Sequence, residues 1–330
     1  MEEDNTSEVG DIAQIDVIAE EPADVSVCRI TFSEKVREFL ESFPDAKNLS
    51  DKIMAFQEGF SFSENARHSI EELTKTDRIA WRKERCGRIT ASNFGRILKC
   101  KYSCESILLD VMAYQPEIST EAVLWGKTKE KIALQKFIEK ISPEHVNLSV
   151  RSTGLIIHRE EPYLAATPDG IVSCDCHEDH VLEIKCPFSS KDKKISEIEC
   201  STSFLDENGI LKDTHHYYEQ VQGQMAISET FKCYFVTYTE QQVHIQIIEF
   251  DECRWENSRE ILKNFFFSFV LPEIINCDIE KAIEVASNEC FCSMKKFSTV
   301  LKCRKCEKTF HRQCVKHRRR TPWTCNDCKH

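Results

Sequence analysis

Eight potential metal ligands close the chain in the order Cys290-x-Cys292-x10-Cys303-x2-Cys306-x4-His311-x2-Cys314-x10-Cys325-x2-Cys328. A stretch of about forty residues cannot bury enough apolar surface to fold alone. This spacing therefore demands that metal supply the folding free energy. Eight donors suffice for two tetrahedral zinc sites of the closed, structural kind. Seven of the 18 Cys lie in that tail, and the other eleven are spread from Cys28 to Cys277, where they read as buried or inert thiols. The opening Met1-Glu2-Glu3-Asp4 lacks the basic-then-apolar order of a secretory signal, which favours metal chemistry over disulfides. The longest oily patch, residues 265–271, falls well short of the ~18–20 apolar residues of a spanning helix. Neither a secreted nor a membrane protein is expected.

Charge is segregated along the chain. Nine acidic residues and no basic one lie in residues 1–24, whereas from Cys290 onward twelve Lys or Arg face only Glu307 and Asp327. The formal net charge is −11, yet a local basic face of this kind is enough to engage nucleic acid. Residues 1–30 read as an acidic disordered tail. Residues 31–78 read as a helical extension, with Phe32, Val36, Phe39 and Leu40, then Leu49, Ile53 and Phe56, at helical spacing. Residues 81–98 read as mostly helical. Ser119 or Thr120 caps a helix carrying Trp125, Leu134, Phe137, Ile138 and Ile141, which Pro143 ends. The period then shortens, and strands are expected over 154–158, 163–166, 170–173, 181–186, 233–239 and 243–250. Helices are expected over 215–228 and 251–269. The sum is an α/β layer fold with a mixed sheet between helices.

Four features within this frame carry chemistry: Glu130 on a helix, Pro168-Asp169-Gly170 at a strand turn, Glu183-Ile184-Lys185 on a strand, and Gln220-Val221-Gln222 on a helix. Glu183 and Lys185, two apart on a strand, leave the same face. A charged pair on an otherwise apolar strand is costly unless something satisfies it. A hard divalent cation such as Mg²⁺ on Asp169 and Glu183, with the Ile184 carbonyl as a third ligand, would do so. Each feature alone is common; their order and element types together are not.

These residues resemble a known family. Trp81-Arg-Lys-Glu-Arg85-Cys-Gly-Arg-Ile-Thr90-Ala91-Ser92, Trp125-Gly126-Lys127 with Glu130, Thr167-Pro168-Asp169-Gly170, Leu182-Glu183-Ile184-Lys185-Cys186-Pro187-Phe188 and Tyr217 with Gln220-Val221-Gln222 look like the successive motifs of the phage lambda exonuclease and YqaJ-type viral recombinases. The resemblance covers roughly residues 78–250, within a domain placed at 79–270. It implies a PD-(D/E)xK restriction-endonuclease-like fold and a Mg²⁺- or Mn²⁺-dependent DNA nuclease. It further implies that Asp169, Glu183 and the Ile184 carbonyl ligate Mg²⁺, and that Glu130 acts through a second metal or its waters. Lys185 would orient or deprotonate the attacking water, and Gln222 would position that water and the phosphate, with Gln220 in support. Arg85 and Ser92 align with residues that hold a 5′-terminal phosphate, and a guanidinium fork suits phosphate oxygens. Thr167 stands where the phage enzyme has Ser, retaining the hydroxyl. Exonuclease action on duplex ends is expected, with an endonuclease mode, a homo-oligomer and a catalytically idle DNA- or chromatin-binding shell left as alternatives.

The tail resembles a PHD finger, including Trp323 two residues before Cys325 and the Phe310-His311 pair. That resemblance implies cross-braced ligation: Cys290, Cys292, His311 and Cys314 on one Zn²⁺, and Cys303, Cys306, Cys325 and Cys328 on the other. It places the module at 289–330 beyond a linker at 271–288, and suggests a histone tail or DNA as partner and a nuclear protein. Of Phe291, Phe297, Phe310 and Trp323, the last two read as core and no methyl-lysine cage is evident. Lys316-His317-Arg318-Arg319-Arg320 suits DNA phosphates, an import signal or merely a solvated loop. Finally, Cys174-Asp175-Cys176-His177 with His180 nearby reads as a solvated hairpin tip, lacking the second Cys pair of a further zinc site.

Overall fold

The structure, a computed structural model, describes residues 30–101, 104–115, 120–292, 299–315, 317 and 322–328. Most of the acidic N-terminal stretch, Ser119, Phe297, Lys316 and residues 318–320 lie outside the described residues.

Helices α1 (Phe32–Glu41), α2 (Leu49–Gly59) and α3 (Glu64–Thr76) come first. Thr31 with Glu34, and Asn48 with Asp51, form reciprocal capping boxes that satisfy the opening amides of α1 and α2. These helices are not a separate extension. Phe32, Val36, Leu40 and Phe56 are buried in one cluster with Phe94, Tyr163, Trp255 and Phe266.

The stretch expected as helix over 81–98 is broken. Helix α4 (Arg78–Arg85) gives way to a short strand, β1 (Ile89–Thr90), before α5 (Ala91–Leu98). At the break, fully buried Arg88 donates from Nε to the Pro162 carbonyl at 2.8 Å and pairs with Glu84 at 2.7 Å. Lys35 reaches the same carboxylate at 2.5 Å. Such a buried ion cluster costs little net only while every member is present.

Helix α6 (Glu105–Val111) follows, and Thr120 caps α7 (Glu121–Ile141) by accepting from the Val123 amide at 3.3 Å. The strands are β2 (Ser149–Arg151), β3 (Ile156–Ile157), β4 (Leu164–Ala166), β5 (Gly170–Cys174) and β6 (His177–Lys185). After helix α8 (His216–Ile227) come β7 (Lys232–Tyr238) and β8 (Val243–Glu249). The main sheet runs β2-β5-β6-β7-β8, antiparallel except for the parallel β6–β7 pair. A parallel pair needs a crossover, which α8 supplies. A smaller sheet orders β1-β4-β3.

Alternation along β6 gives the sheet two apolar faces. Val181, with Ile171 and Phe235, packs on Val221 and Met225 of α8. Leu182 and Ile184, with Val172 and Val236, pack on Ala133, Phe137 and Ile141 of α7. A mixed sheet between helices is the architecture expected. Helix α5 lies close on α8, since a Cβ at Gly223 would fall 2.3 Å from the Phe94 ring and one at Gly95 2.6 Å from His216.

Helix α9 (Glu252–Phe265) continues through a π-helical turn over Phe266–Val270 into α10 (Leu271–Asn276), and α11 (Asp278–Glu289) follows at once. Residues 271–288 are therefore helical, not a linker. Leu271 and Ile274 are fully buried in the core, and Glu273 accepts from Tyr114 Oη and from the Ile279 and Glu280 amides at the start of α11. Strands β9 (Val300–Lys302) and β10 (Thr309–His311) form the antiparallel ribbon of the Cys-rich module, with α12 (Arg312–Val315) after it. Its core is Cys290, Cys303, Phe310 and Cys325, with Trp323 edge-on to Phe310 at 5.2 Å.

Candidate active site

Asp169 sits just ahead of β5, where its amide donates to the Leu182 carbonyl at 3.0 Å. Its Oδ2 accepts from the Ile184 amide at 2.6 Å. The N–H and C=O of one strand residue leave on the same side, so the Ile184 carbonyl also faces the space beyond the end of β5. Glu183 is buried, and Lys185 donates to its Oε1. The Thr153 hydroxyl holds the Pro168 carbonyl at 2.5 Å, fixing the turn.

Crowding beside Glu183 shifts the protonation of Asp169 and of Lys185. Burial and the neighbouring Glu183 charge push the Asp169 carboxyl well above the usual carboxylate range. For Lys185, burial acts downward, but Glu183 and Asp169 outweigh it and hold the ammonium above the ordinary Lys range. The Lys185 ammonium also lies 4.4 Å from the centre of the Tyr217 ring.

The glutamines differ from expectation. Gln220 Nε2 donates to Glu183 Oε1 at 2.6 Å, and Gln224 Nε2 to Glu183 Oε2 at 2.7 Å. Gln222 faces the other way: it donates to the Glu249 carbonyl at 2.9 Å and accepts from the Asp251 amide at 2.8 Å. Helix geometry is the reason, since positions 220 and 224 share a face while 222 is rotated about 200° from 220. Gln222 thus ties α8 to the end of β8. The i, i+4 pair was the signal in the sequence that could have found Gln224.

Asp169, Glu183 and Lys185 open into a cleft of about 480 Å³ whose walls also carry Arg85, Ser92 and Thr167. Of the residues expected in the site, these six and Gln220 line one space. Trp81 organises the far wall, donating from Nε1 to Thr167 Oγ1 at 3.1 Å. The Arg78 and Arg85 guanidiniums pack on its ring at 4.0 and 4.1 Å. Arg85 Nη2 is 3.5 Å from Ser92 Oγ, which in turn is 3.2 Å from Thr90 Oγ1.

Glu130 does not line this cleft. It approaches from α7, on the opposite face of the sheet, and remains solvent-exposed. Desolvation and the Glu183 charge nonetheless raise its pKa, so it senses the cluster. Trp125 stands 6.1 Å from Phe188 and pins the start of α7 against the loop after β6.

The donor set fits a hard divalent cation. Asp169, Glu183 and the Ile184 carbonyl are all oxygen donors, and the two crowded carboxylates gain most from a positive ion between them.

With that geometry in view, one comparison bears directly on the cleft. Residues 80–231 match the family model of the YqaJ-like viral recombinase domain. The YqaJ-like segment is a little under half of the chain and contains all the cleft residues from Trp81 to Gln224. No curated protein matches the chain. Among solved structures, an alkaline exonuclease from Laribacter hongkongensis, LHK-Exo, is 25% identical with TM-score 0.48, covering 62% of this chain and 98% of its own. A phage-related exonuclease from Haemophilus somnus is 14% identical with TM-score 0.40, covering 59% and 96%. A SOX–DNA complex is 12% identical with TM-score 0.44, covering 76% and 81%.

The Cys-rich tail gathers its donors into two sets whose ligand atoms all lie within 4.8 Å of one another: Cys290, Cys292, His311 and Cys314, then Cys303, Cys306, Cys325 and Cys328. This is the cross-braced pairing expected. Tetrahedral zinc bonds place two sulfurs about 3.8 Å apart and a sulfur and nitrogen about 3.6 Å apart. Cys306 and Cys325 Sγ are separated by 3.7 Å, and Cys292 Sγ and His311 Nδ1 by 3.4 Å. Both sets could hold zinc.

Proposed function

We propose that the cleft hydrolyses DNA phosphodiesters with Mg²⁺ or Mn²⁺, acting as an exonuclease on duplex ends. The observation that carries this reading is that Asp169, Glu183 and Lys185 meet in the same cleft as Arg85, Ser92 and Thr167. An ion on Asp169, Glu183 and the Ile184 carbonyl supplies Lewis acidity toward the phosphate and the attacking water. Glu130 would hold waters around it from the α7 side.

The chain's own residues do the rest. Gln220 and Gln224 clamp Glu183 so that its carboxylate cannot swing away. Lys185, which the carboxylates hold charged, orients the water and meets negative charge growing on the phosphoryl oxygens. Arg85, held flat on Trp81, presents N–H donors to a phosphate, with Ser92 and Thr167 adding hydroxyl bonds. The Cys-rich module, read as a PHD-type finger with two Zn²⁺, would recruit the nuclease to chromatin or DNA in the nucleus. Its ligand order and the Phe310–Trp323 packing support that reading.

The test is digestion of linear, 5′-phosphorylated duplex with Mg²⁺. We expect loss of linear but not circular DNA, and no activity in Asp169→Ala. Arg85→Ala should lose the preference for phosphorylated over unphosphorylated ends, about 10-fold or more for one charge-assisted contact. No cleavage with Mg²⁺ or Mn²⁺, and no change on Asp169→Ala, would leave a binding protein.

A further inference from the structure

We propose that His145, Cys174 and His177 form a third metal site, of the zinc class, with two imidazoles, one thiolate and a fourth position open to water. The site lies at the opposite end of the β5–β6 hairpin from the cleft. Eight steps of β6 separate His177 from Lys185, about 26 Å at the usual strand rise.

The three donors come from two separate segments. Cys174 ends β5 and His177 begins β6, directly opposite each other in the ladder, so their side chains share a face. His145 arrives from the 3₁₀ turn after α7, nearly thirty residues earlier in the chain. One ligand atom from each lies within 4.8 Å of the other two. His145 Nδ1 is 3.6 Å from Cys174 Sγ, matching the separation of about 3.6 Å for sulfur and nitrogen on one tetrahedral zinc.

The surroundings orient each donor. His177 Nδ1 lies 2.7 Å from the Glu178 carbonyl, which fixes that nitrogen as N–H and leaves the Nε2 lone pair for a ligand. This is the outer bond that metal-bound imidazoles commonly make. The Cys176 amide donates to Cys174 Sγ at 3.4 Å, a contact suited to a thiolate. Tyr234 Oη closes one side, 3.4 Å from His177 Nε2 and 3.5 Å from His145 Nε2. His180 stacks flat on His177 with ring centres 4.0 Å apart.

The loop bearing His145 is tied down as well. The Asp175 amide donates to the Val146 carbonyl at 3.0 Å, and Asn147 Nδ2 donates to Asp175 at 2.6 Å. Cys176 points elsewhere, its sulfur accepting from the Val146 amide at 3.2 Å. The donors are half-buried, leaving a path for an ion. Two nitrogens and a sulfur select zinc over the magnesium that oxygen donors prefer.

The test is zinc content per chain of the full-length protein, expressed in zinc-supplemented medium and measured by elemental mass spectrometry. Cys174→Ser and His145→Gln should each contain one zinc fewer than wild type, whatever the occupancy of the tail. Wild type produced in zinc-depleted, cobalt-supplemented medium minus His145→Gln produced in the same way should give a thiolate charge-transfer band and tetrahedral d–d bands. Equal zinc in the wild type and in whichever variant keeps the wild-type circular dichroism spectrum, or a flat cobalt difference spectrum, overturns the proposal.

Discussion

The cleft and the Cys-rich tail both aim electron-pair donors at a point, but they are built in reverse order. Asp169, just ahead of β5, and Glu183 of β6 sit in a sheet whose apolar packing on α7 and α8 is made by other side chains, with Gln220 and Gln224 of α8 binding Glu183 on top of it. In the tail, Cys290, Cys303 and Cys325 are themselves three of the four buried members of the core cluster. The first is a stable frame that imposes strain on its donors. The second is a set of donors with little frame beyond them.

Metal removal should expose that contrast most strongly. Chelating zinc should unfold residues 290–328, since structural zinc contributes roughly 10–16 kcal/mol in such modules, while α1 to α10 remain folded. Hydrogen exchange measured by mass spectrometry checks this, and loss of protection in β6 or α8 would break the comparison. The frame's own weak point is the buried ion cluster of Lys35, Glu84 and Arg88. Glu84→Gln should cost about 3–5 kcal/mol, because Arg88 and Lys35 would lose their counter-charge, as read by urea unfolding.

Within the cleft, Asp169→Asn should lower nuclease turnover by roughly 10³-fold while leaving the Mg²⁺-free protein no less stable. Gln224→Ala should cost about 10- to 100-fold in activity through the freed Glu183 carboxylate. Gln222→Ala should instead cost about 1–3 kcal/mol of stability through the unsatisfied Asp251 amide and Glu249 carbonyl. Assaying turnover and urea midpoint on both variants sharpens the division between the two faces of α8.

The smallest effect concerns pH. In Mg²⁺-free buffer the folded state holds the Asp169 proton more tightly than the unfolded chain does. Stability attributable to this residue is therefore full below the unfolded pKa, about 4, and declines as pH rises toward the folded value. Saturating Mg²⁺ should flatten that decline. Urea midpoints between pH 4 and 8, with and without Mg²⁺, are the measurement.

Much of this was legible from periodicity. The strand expected at 170–173 became β5, and that at 181–186 corresponds to the apolar half of β6, because alternating burial leaves a direct mark on residue choice. Glu183 and Lys185 share a face for the same reason. Tertiary partners left no such mark. Motif position points to Gln222 with Gln220 in support, whereas it is Gln220 and Gln224, four apart on one face of α8, that hold Glu183. Residues 271–288 lacked an obvious core partner in sequence, yet Leu271 and Ile274 pack against helices more than 150 residues earlier. His145 was invisible as a neighbour of Cys174, because only the turn after α7 brings them together.

Glu273 has a mechanical consequence. By binding Tyr114 Oη on one side and the first amides of α11 on the other, it makes the junction a bracket where a leash was expected. The placement of the Cys-rich module is then governed by α11, twelve residues and about 18 Å long. Lengthening that strut by a few residues would swing the module around the helix axis as well as moving it outward.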